Sequence, residues 1–322
     1  MSRRLRALVR VSPAGPVLGP DAVRAFLAVK SAEGRAPSTL RDYEKATRLF
    51  FRFAGEPPAT EDELRTKVLA FLQTRASLAP PTYNLSLVYL RGFFRWCISE
   101  GLLTSDPTRG IHKRADGGRP RALPEDTLRR LVALPDRTRW AGLRDQALLL
   151  LMLDTGIRPS EALGLLPVDV DLVGAGVVVR AAVAKTRRDR ALPLSPVTVR
   201  ALGALLRSRP AQWDVSAPVL AREDGGRLAT QGLRERFKLY SRQLGQKVTP
   251  YMLRHSFALL YLRGGGDAFS LQRLLGHTGL AMTKRYVELA EADVAAVHAR
   301  ASPVGRLVSE EKQRVRRLKR GP

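Results

Sequence analysis

The sequence predicts a mainly α-helical protein with two domains and a small antiparallel β-sheet. Apolar residues recur at helical spacing through most of the 322 residues, of which 44% are hydrophobic. Two short β-rich segments, 177–181 and 190–194, are joined by a polar turn and read as a hairpin. The segment 109–121 is rich in Gly, Pro, Lys and Arg without an apolar period, which is typical of a linker. The chain is therefore expected to fold as two units.

The predicted organisation follows the changes in composition along the chain. The expected segments are a flexible leader (1–20), a helical domain (21–108), a basic linker (109–121), an α+β domain (122–298) and a basic C-terminal tail (299–322).

Helices in the first domain are marked by apolar stripes and by residues that favour helix ends. Ser38, with Pro37 before it, is the predicted N-cap of one helix. Further helices are predicted at about 61–74 and at about 81–100. The last of these carries an apolar stripe on which Cys97 is expected to be a small buried hydrophobe.

Basic residues beside this stripe and in the linker are candidate phosphate contacts. Arg91 and Arg95 lie one helical turn apart, and the pair is either a solvated edge or an edge that faces phosphates. Lys113 and Arg114 are two of five Lys or Arg residues in the linker, which fits a segment that tracks a phosphate backbone.

Charge composition favours a polyanionic partner. The chain has 55 Lys and Arg against 30 Asp and Glu, so its formal net charge is +25. Nucleic acid and an anionic membrane surface are the two common partners of such a protein. The longest apolar run, 147–153, is far shorter than the roughly 18 residues of a membrane span. No signal peptide is expected, and the cytoplasm is the predicted compartment.

The single cysteine, Cys97, excludes a disulfide within the chain and a cysteine-based zinc site. The four histidines are scattered without metal-binding spacing, so no structural metal is predicted.

The first candidate functional motif lies where two helices of the second domain meet. A strongly apolar helix is predicted to end at Gly156, and a new helix begins around Pro159. Arg158 then stands at a helix N-terminus, where backbone N–H groups favour an anion. Glu161 is placed to hold the guanidinium. An Arg–Glu pair is also a common structural feature at helix starts, so this segment alone leaves both interpretations open.

Other candidate residues follow in the second domain. In chain order they are Lys185 near the hairpin tip, Tyr251, Arg254 and His255 on a helix begun by Thr249 and Pro250, His277 after a helix-ending Gly276, and Tyr286 nine residues later. Each of them has an ordinary structural interpretation when it is considered alone. Their order and spacing together form a specific pattern.

This pattern resembles the catalytic set of the tyrosine recombinase, or phage integrase, family. The motifs that carry the resemblance are Arg158 with Glu161, Lys185 in a hairpin, Arg254-His255 after Thr249-Pro250, Leu-Gly-His277 and Tyr286. Ser38-Thr-Leu-Arg-Asp-Tyr, Leu90-Arg-Gly-Phe-Phe-Arg-Trp and Asp106-Pro107 are similar to the family's helical core-binding domain. The resemblance covers most of the chain. It implies a SAM-like core-binding domain followed by an α+β catalytic domain, as in Xer-like recombinases.

The resemblance implies an enzyme that breaks and rejoins DNA without a metal or another cofactor. The implied roles are Tyr286 as the nucleophile that forms a 3′-phosphotyrosine, Arg158 and Arg254 as clamps on the phosphate oxygens, Lys185 as the acid for the leaving 5′-oxygen, His277 as a hydrogen-bond donor to the phosphate, and Glu161 and His255 as supporting residues. Most of the catalysis then comes from positioning and charge stabilisation.

Tyr251 departs from the family pattern, which usually has His-x-x-Arg where this chain has Tyr251-Met-Leu-Arg254. A tyrosine hydroxyl can donate a hydrogen bond to a phosphate oxygen, but it cannot shuttle protons at neutral pH as imidazole can. We interpret Tyr251 as a tolerated substitution. The alternative is a sequence-specific DNA-binding protein of the same fold whose cleavage is impaired.

The resemblance also implies partners. The two domains would close as a C-shaped clamp around double-stranded DNA, and four protomers would act on two paired sites. Val287, Leu289, Val294 and Val297 have the spacing of a helix that packs either on a neighbouring protomer or on its own domain. The short leader favours the plan of Xer-type chromosome dimer resolvases and simple mobile-element integrases. The sequence leaves open which task applies, the target DNA sequence, and whether a second recombinase is required.

Overall fold

The computed structural model describes residues 18–116, 118, 121–184, 188–290, 298 and 302–307. The chain divides into two compact units, and the division falls between Gly118 and Arg119. This point lies inside the predicted linker, and residues 111–116 have no regular secondary structure. Most of the predicted leader lies outside the described residues, whereas Leu18 is buried in the core of the first unit.

The described part of the N-terminal unit is helical. Its helices are α1 (Pro20–Ala32), α2 (Pro37–Ala54), α3 (Glu61–Thr74) and α4 (Pro80–Ser99). The prediction of helices at 61–74 and 81–100 is confirmed. The prediction of Ser38 as an N-cap is wrong: α2 begins one residue earlier, at Pro37, with Ala36 as its N-cap. Proline takes this first position because its fixed φ suits a helix and its missing N–H costs nothing there.

Aromatic rings fill the core of this unit. Phe26, Phe50, Phe93 and Phe94 are fully buried, and the rings of Phe26 and Phe93 meet edge to face with centroids 5.4 Å apart. Cys97 is fully buried on the predicted stripe, and burial raises the pKa of its thiol. This cysteine therefore acts as a core hydrophobe, as the sequence predicts.

The C-terminal unit mixes helices with one small sheet. Its elements are α5 (Glu125–Ala133), α6 (Trp140–Thr155), α7 (Pro159–Ala162), a 3-10 turn (Pro167–Asp169), β1 (Val170–Asp171), β2 (Gly176–Val179), β3 (Arg190–Pro193), α8 (Pro196–Arg207), α9 (Thr230–Leu244), α10 (Pro250–Arg263), α11 (Ala268–Leu275), α12 (Leu280–Ala290) and α13 (Val304–Leu307).

The sheet is antiparallel in the order β1-β2-β3. Val177 pairs with Leu192 in the β2–β3 hairpin, and both side chains are buried. The hairpin is confirmed, whereas β1 was not predicted because two residues are too few to show a period-two pattern. Three residues in the loop of the hairpin, 185–187, lie outside the described part of the chain.

Helix α6 is the centre of the C-terminal unit, and its end leads to the candidate site. It packs against α8 and α10, and Leu148, Leu149 and Met152 are buried on it. Gly156 ends the helix at φ +63° in the left-handed region, as the sequence predicts. The chain then turns directly into α7, whose N-cap is Arg158.

After α12, little of the predicted C-terminal segment is described. Val287 is exposed and Leu289 is half-buried, whereas Val294, Val297 and most of the predicted tail lie outside the described residues. Across the described ranges, no helix is both long and apolar enough to cross a membrane.

We expect Gly156→Ala to destabilise the C-terminal unit by about 2–4 kcal/mol, because it combines left-handed backbone strain with overpacking. A Cβ at this position would lie 2.3 Å from Cδ1 of Phe257 and 2.7 Å from Cδ2 of Leu275. Urea denaturation measures the effect. Gly279→Ala is the matched control, because a Cβ there has no neighbour within 4 Å. Equal stability of the two variants would contradict this account of the turn.

Candidate active site

Most of the residues singled out from the sequence meet at the C-terminal end of α11. The elements that provide them are the start of α7 (Arg158, Glu161), α10 (Arg254, His255), the turn after α11 (His277) and α12 (Tyr286).

Local signals in the sequence place these elements. Thr249 caps α10 by accepting a hydrogen bond from the Met252 amide at 3.3 Å. Gly276 ends α11 in the left-handed conformation, and the His277 amide then donates back to the Gln272 carbonyl at 3.1 Å. This closed turn fixes His277 beside the helix end, as the sequence predicts.

A buried carboxylate lies between two arginines. Glu161 is fully buried and accepts from the Arg158 guanidinium at 3.0 Å and from its backbone amide at 3.1 Å. The Arg190 guanidinium donates to both oxygens of Glu161, at 2.5 and 3.2 Å. Burial alone would raise the pKa of Glu161, but the hydrogen bond and charge of Arg190, together with Arg158, lower it. Glu161 is therefore ionised and fixes both guanidinium groups.

Three consecutive carbonyls at the end of α11 hold the three arginines of the site. Arg190 donates to the carbonyl of residue 274 at 3.2 Å, Arg254 to that of residue 275 at 2.8 Å, and Arg158 to that of residue 276 at 3.1 Å. The last carbonyls of a helix have no partner within the helix and carry its negative dipole end. They therefore suit cations, and one helix terminus positions three guanidinium groups.

Arg254 is the most enclosed of these cations. It also donates to the Gly156 carbonyl at 2.5 Å, which ties the end of α6 to the end of α11. Burial and the nearby Arg158 lower the pKa of Arg254 to about 10. The guanidinium is still charged at neutral pH.

His277 is held as a neutral imidazole. Its Nε2 lies 3.2 Å from the Arg254 guanidinium, which can only donate, so Nε2 accepts. Its Nδ1 lies 3.0 Å from the Thr283 hydroxyl and therefore carries the proton. Burial, with the charges of Arg254, Arg158 and Arg190, lowers the pKa of His277 to about 4. A proton on Nε2 is disfavoured until an anion enters the site.

Tyr286 is buried, and its hydroxyl lies 2.6 Å from Nδ1 of His255. Burial raises the pKa of Tyr286, although Arg254 and Arg285 act in the opposite direction. The nucleophile suggested by the sequence is therefore a neutral phenol in a hydrogen bond to an imidazole.

Tyr251 differs from the other candidates because its side chain is 57% exposed, whereas Arg254 on the same helix is buried. Tyr251 lines a cavity of about 780 Å³ together with Phe237 of α9, Lys247 of the following loop and Pro159 at the start of α7. Its helical spacing from Arg254 therefore does not place it inside the arginine cluster in this structure.

Lys185 lies outside the described residues, so its predicted role stays a prediction. Of its neighbours, Ala184 is buried and Asp189 accepts a hydrogen bond from the Ala181 amide at 2.5 Å.

The four predicted DNA contacts divide into two kinds of environment. The Arg91 guanidinium donates to the Thr108 hydroxyl and carbonyl at 3.0 and 3.2 Å and to the Ile111 carbonyl at 2.6 Å. Arg114 lies 4.2 Å from the centroid of a tyrosine ring and is half-buried. Arg95 and Lys113 are exposed. Arg91 and Arg114 thus make contacts that hold the segment after α4 in place, whereas Arg95 and Lys113 face solvent. DNA binding by all four residues stays a prediction.

Sequence reasoning missed Arg190 and Thr283 as members of the site. Arg190 was noted only as the first residue of a strand, and a threonine on an amphipathic helix gives no functional signal. Both take part through non-local contacts, with Glu161 and with His277. No local pattern could have identified them.

The site is suited to an oxyanion. Its described part contains three guanidinium groups and one carboxylate, so the local charge is positive. Guanidinium groups also match the geometry of phosphate oxygens. Within the described residues, no group of three or more His, Cys, Asp or Glu side chains is arranged to hold a metal ion.

We expect the C-terminal unit to lose stability as the pH falls below about 6.5, the ordinary pKa of histidine. His277 has a folded-state pKa of about 4, so between these values the unfolded chain binds the proton more tightly than the folded protein does. Thermal melts between pH 7.5 and pH 5 measure the effect. His277→Asn should show a smaller decline, and an equal decline in both proteins would contradict the buried neutral imidazole.

Comparisons with known proteins cover most of the chain. The model of the phage integrase family matches residues 121–293, and that of the phage integrase N-terminal SAM-like domain matches residues 23–101. The resemblance inferred from the motifs and the predicted fold class are confirmed.

Individual relatives align over most of their length. The tyrosine recombinase XerC of Serratia marcescens is 30% identical over 301 residues, which cover 91% of this chain and 98% of that protein. The XerC of Rhodospirillum centenum is 32% identical over 289 residues, covering 85% and 84%. The crystal structure of the XerH recombinase bound to a palindromic difH substrate has the same fold, with a TM-score of 0.67 at 18% identity over 94% of each chain. The chain belongs to the phage integrase family, the tyrosine recombinases, which are site-specific enzymes that break and rejoin DNA.

Proposed function

We propose that the protein recombines DNA through a 3′-phosphotyrosine formed by Tyr286. The observation that carries this proposal is the convergence of a buried tyrosine with the arginine cluster: the Tyr286 hydroxyl lies 2.6 Å from Nδ1 of His255, the residue that follows Arg254 on α10. A covalent intermediate stores the energy of the cleaved bond, so rejoining requires no external energy source.

Arg158 and Arg254 are proposed to bind the two non-bridging oxygens of the scissile phosphate. Their guanidinium groups are already oriented by Glu161 and by carbonyls, so little reorganisation accompanies binding. In phosphoryl transfer such positioned charge supplies much of the catalysis.

His277 is proposed to donate a third hydrogen bond to the phosphate. In the free protein its Nε2 accepts from Arg254 instead. An entering phosphate would accept hydrogen bonds from the Arg254 guanidinium and favour a proton on Nε2, because its negative charge opposes the cations that, together with burial, lower the pKa of His277. The role of this histidine is therefore coupled to occupancy of the site.

Lys185 is proposed, on the family resemblance, to protonate the leaving 5′-oxygen. Glu161 supports the arginines, and Tyr251 is proposed to donate its hydroxyl to the phosphate in the DNA complex.

Double-stranded DNA is the proposed partner. A net charge of +25 supports many phosphate contacts, so binding should weaken steeply with salt. Arg91, Arg95, Lys113 and Arg114 are proposed backbone contacts. The solved XerH complex, and a lambda integrase dimer bound to a core site, are protein–DNA structures of the same fold.

The proposed assembly is a tetramer on two paired sites, acting on the nucleoid in the cytoplasm. Resolution of chromosome dimers is the proposed task, because the relatives at 28–32% identity, which align over 84–98% of their own length, are Xer recombinases. Integration or excision of a mobile element is the alternative task. A second recombinase is proposed as an additional partner for either task.

We expect Tyr286→Phe to abolish covalent attachment to DNA and leave DNA binding intact, because only the attacking oxygen is removed. Wild type and variant are incubated with pooled genomic fragments in EDTA, and SDS-resistant adducts are recovered and sequenced. Adducts from wild type alone, enriched at one locus, support the proposal and identify the target. Equal adduct yields from both proteins would place the nucleophile elsewhere.

We expect Tyr251→Phe to slow adduct formation at that locus about 10- to 100-fold. The variant loses one hydrogen bond to a charged group, and such a bond contributes about 1.5–3 kcal/mol. The rate of adduct formation under single-turnover conditions measures the effect. Tyr251→His, which restores the usual family residue, is the matched variant and should at least retain wild-type rate. A Phe variant as inactive as Tyr286→Phe, or as fast as wild type, would contradict the proposed auxiliary role.

A further inference from the structure

The contact between His255 and Tyr286 joins two helices at the reacting atom. His255 lies on α10 and Tyr286 on α12, and these helices pack directly on each other. Nδ1 of His255 is 2.6 Å from the phenolic oxygen, and the two rings are tilted by 39° with centroids 5.8 Å apart. This distance is that of a short, well-formed hydrogen bond.

The chemistry of the two groups fixes the direction of this hydrogen bond. Burial raises the pKa of Tyr286, so its oxygen keeps its proton at neutral pH. Burial and the charge of Arg254 lower the pKa of His255, so its imidazole is neutral. The phenol therefore donates, Nδ1 accepts, and the imidazole proton is on Nε2.

Other described groups of the site are poorly placed to accept the phenolic proton. Arg158 and Arg254 have no acceptor atom. His277 uses Nε2 toward Arg254 and Nδ1 toward Thr283. Tyr251, which stands where the family pattern has a histidine, is mostly exposed and is itself a phenol.

We propose that His255 is the catalytic base that takes the proton of Tyr286 during cleavage, an inference that rests on the proposed function. As the phenolic oxygen bonds to phosphorus, its proton passes to Nδ1 of His255. The bond from phosphorus to the 5′-oxygen breaks, and its electron pair leaves on that oxygen, which takes a proton from the acid, assigned above to Lys185. During rejoining the 5′-hydroxyl attacks and returns its proton to that acid, while Tyr286 leaves and recovers its proton from His255.

Charges around the pair make this transfer depend on bound DNA. Burial and the charge of Arg254 on α10 oppose formation of an imidazolium at His255, whereas Arg254 and Arg285 on α12 both act to lower the pKa of Tyr286. A phosphate diester bound by Arg254 offsets that repulsion. His255 is thus a stronger base in the DNA complex than in the free protein, which couples activation of the nucleophile to occupancy of the site.

The rate of covalent adduct formation tests the proposal, with the target locus of the wild-type protein supplied as a nicked duplex that traps the adduct. His255→Asn is the informative variant, because its amide oxygen can still accept the phenolic hydrogen bond but cannot take the proton. We expect it to bind the duplex as wild type does and to form adduct about 10²- to 10⁴-fold more slowly, the usual contribution of a general base. His255→Gln is a second variant, and thermal melts of both variants show whether either of them has a folding defect.

The pH profile separates a base from a structural residue. The wild-type rate should fall at low pH as His255 becomes protonated, and His255→Asn should lose this acid limb. A fluorinated tyrosine in place of Tyr286, with a lower phenol pKa, should partly restore the rate of the His255→Asn protein, because an ionised phenol needs no base.

The outcomes distinguish a failure of the base role of His255 from a failure of the proposed recombinase function. A His255→Asn protein with wild-type rate, an unchanged acid limb, or no gain from the fluorinated tyrosine overturns the base role and leaves Tyr286 as the nucleophile. A folded wild-type protein that binds DNA and forms no adduct at any pH overturns the proposed function and the base role with it.

Discussion

The end of helix α11 is the constraint on which the candidate site depends. The carbonyls of residues 274–276 have no partner within their helix, and each accepts a hydrogen bond from a different arginine. Three positive charges would repel one another if they were confined without compensation. The carbonyls and the buried carboxylate of Glu161 supply that compensation and still leave the cluster with an excess of positive charge. This excess is what a phosphate can neutralise.

The same arrangement governs the two histidines. Burial and nearby guanidinium groups lower the pKa of both, so both are neutral in the free protein. A neutral His255 can accept the proton of Tyr286, whereas His277 needs a proton on Nε2 to serve as a donor. An anion in the site would favour protonation of both imidazoles, because it opposes the charge of Arg254. Each step of the proposed catalysis therefore depends on occupancy by DNA, and the nucleophile stays protonated when no phosphate is bound.

Local signals explain which parts of the fold the sequence could predict. Gly156 and Gly276 mark the ends of helices and Thr249-Pro250 marks a start, because left-handed backbone, capping and a fixed φ each depend on a few neighbouring residues. Arg190 and Thr283 were missed because their roles come from contacts with distant segments. The exposure of Tyr251 likewise depends on how α10 packs, which helical periodicity does not determine.

We infer that the arginine cluster is an oxyanion site that controls the protonation of His277. NMR of the imidazole nitrogens of His277 across pH, with and without inorganic phosphate at increasing concentration, measures this control. We expect a pKa of about 4 in the free protein and a rise as phosphate binds, with no rise in an Arg158→Ala variant. A pKa of His277 that stays the same at every phosphate concentration would contradict it.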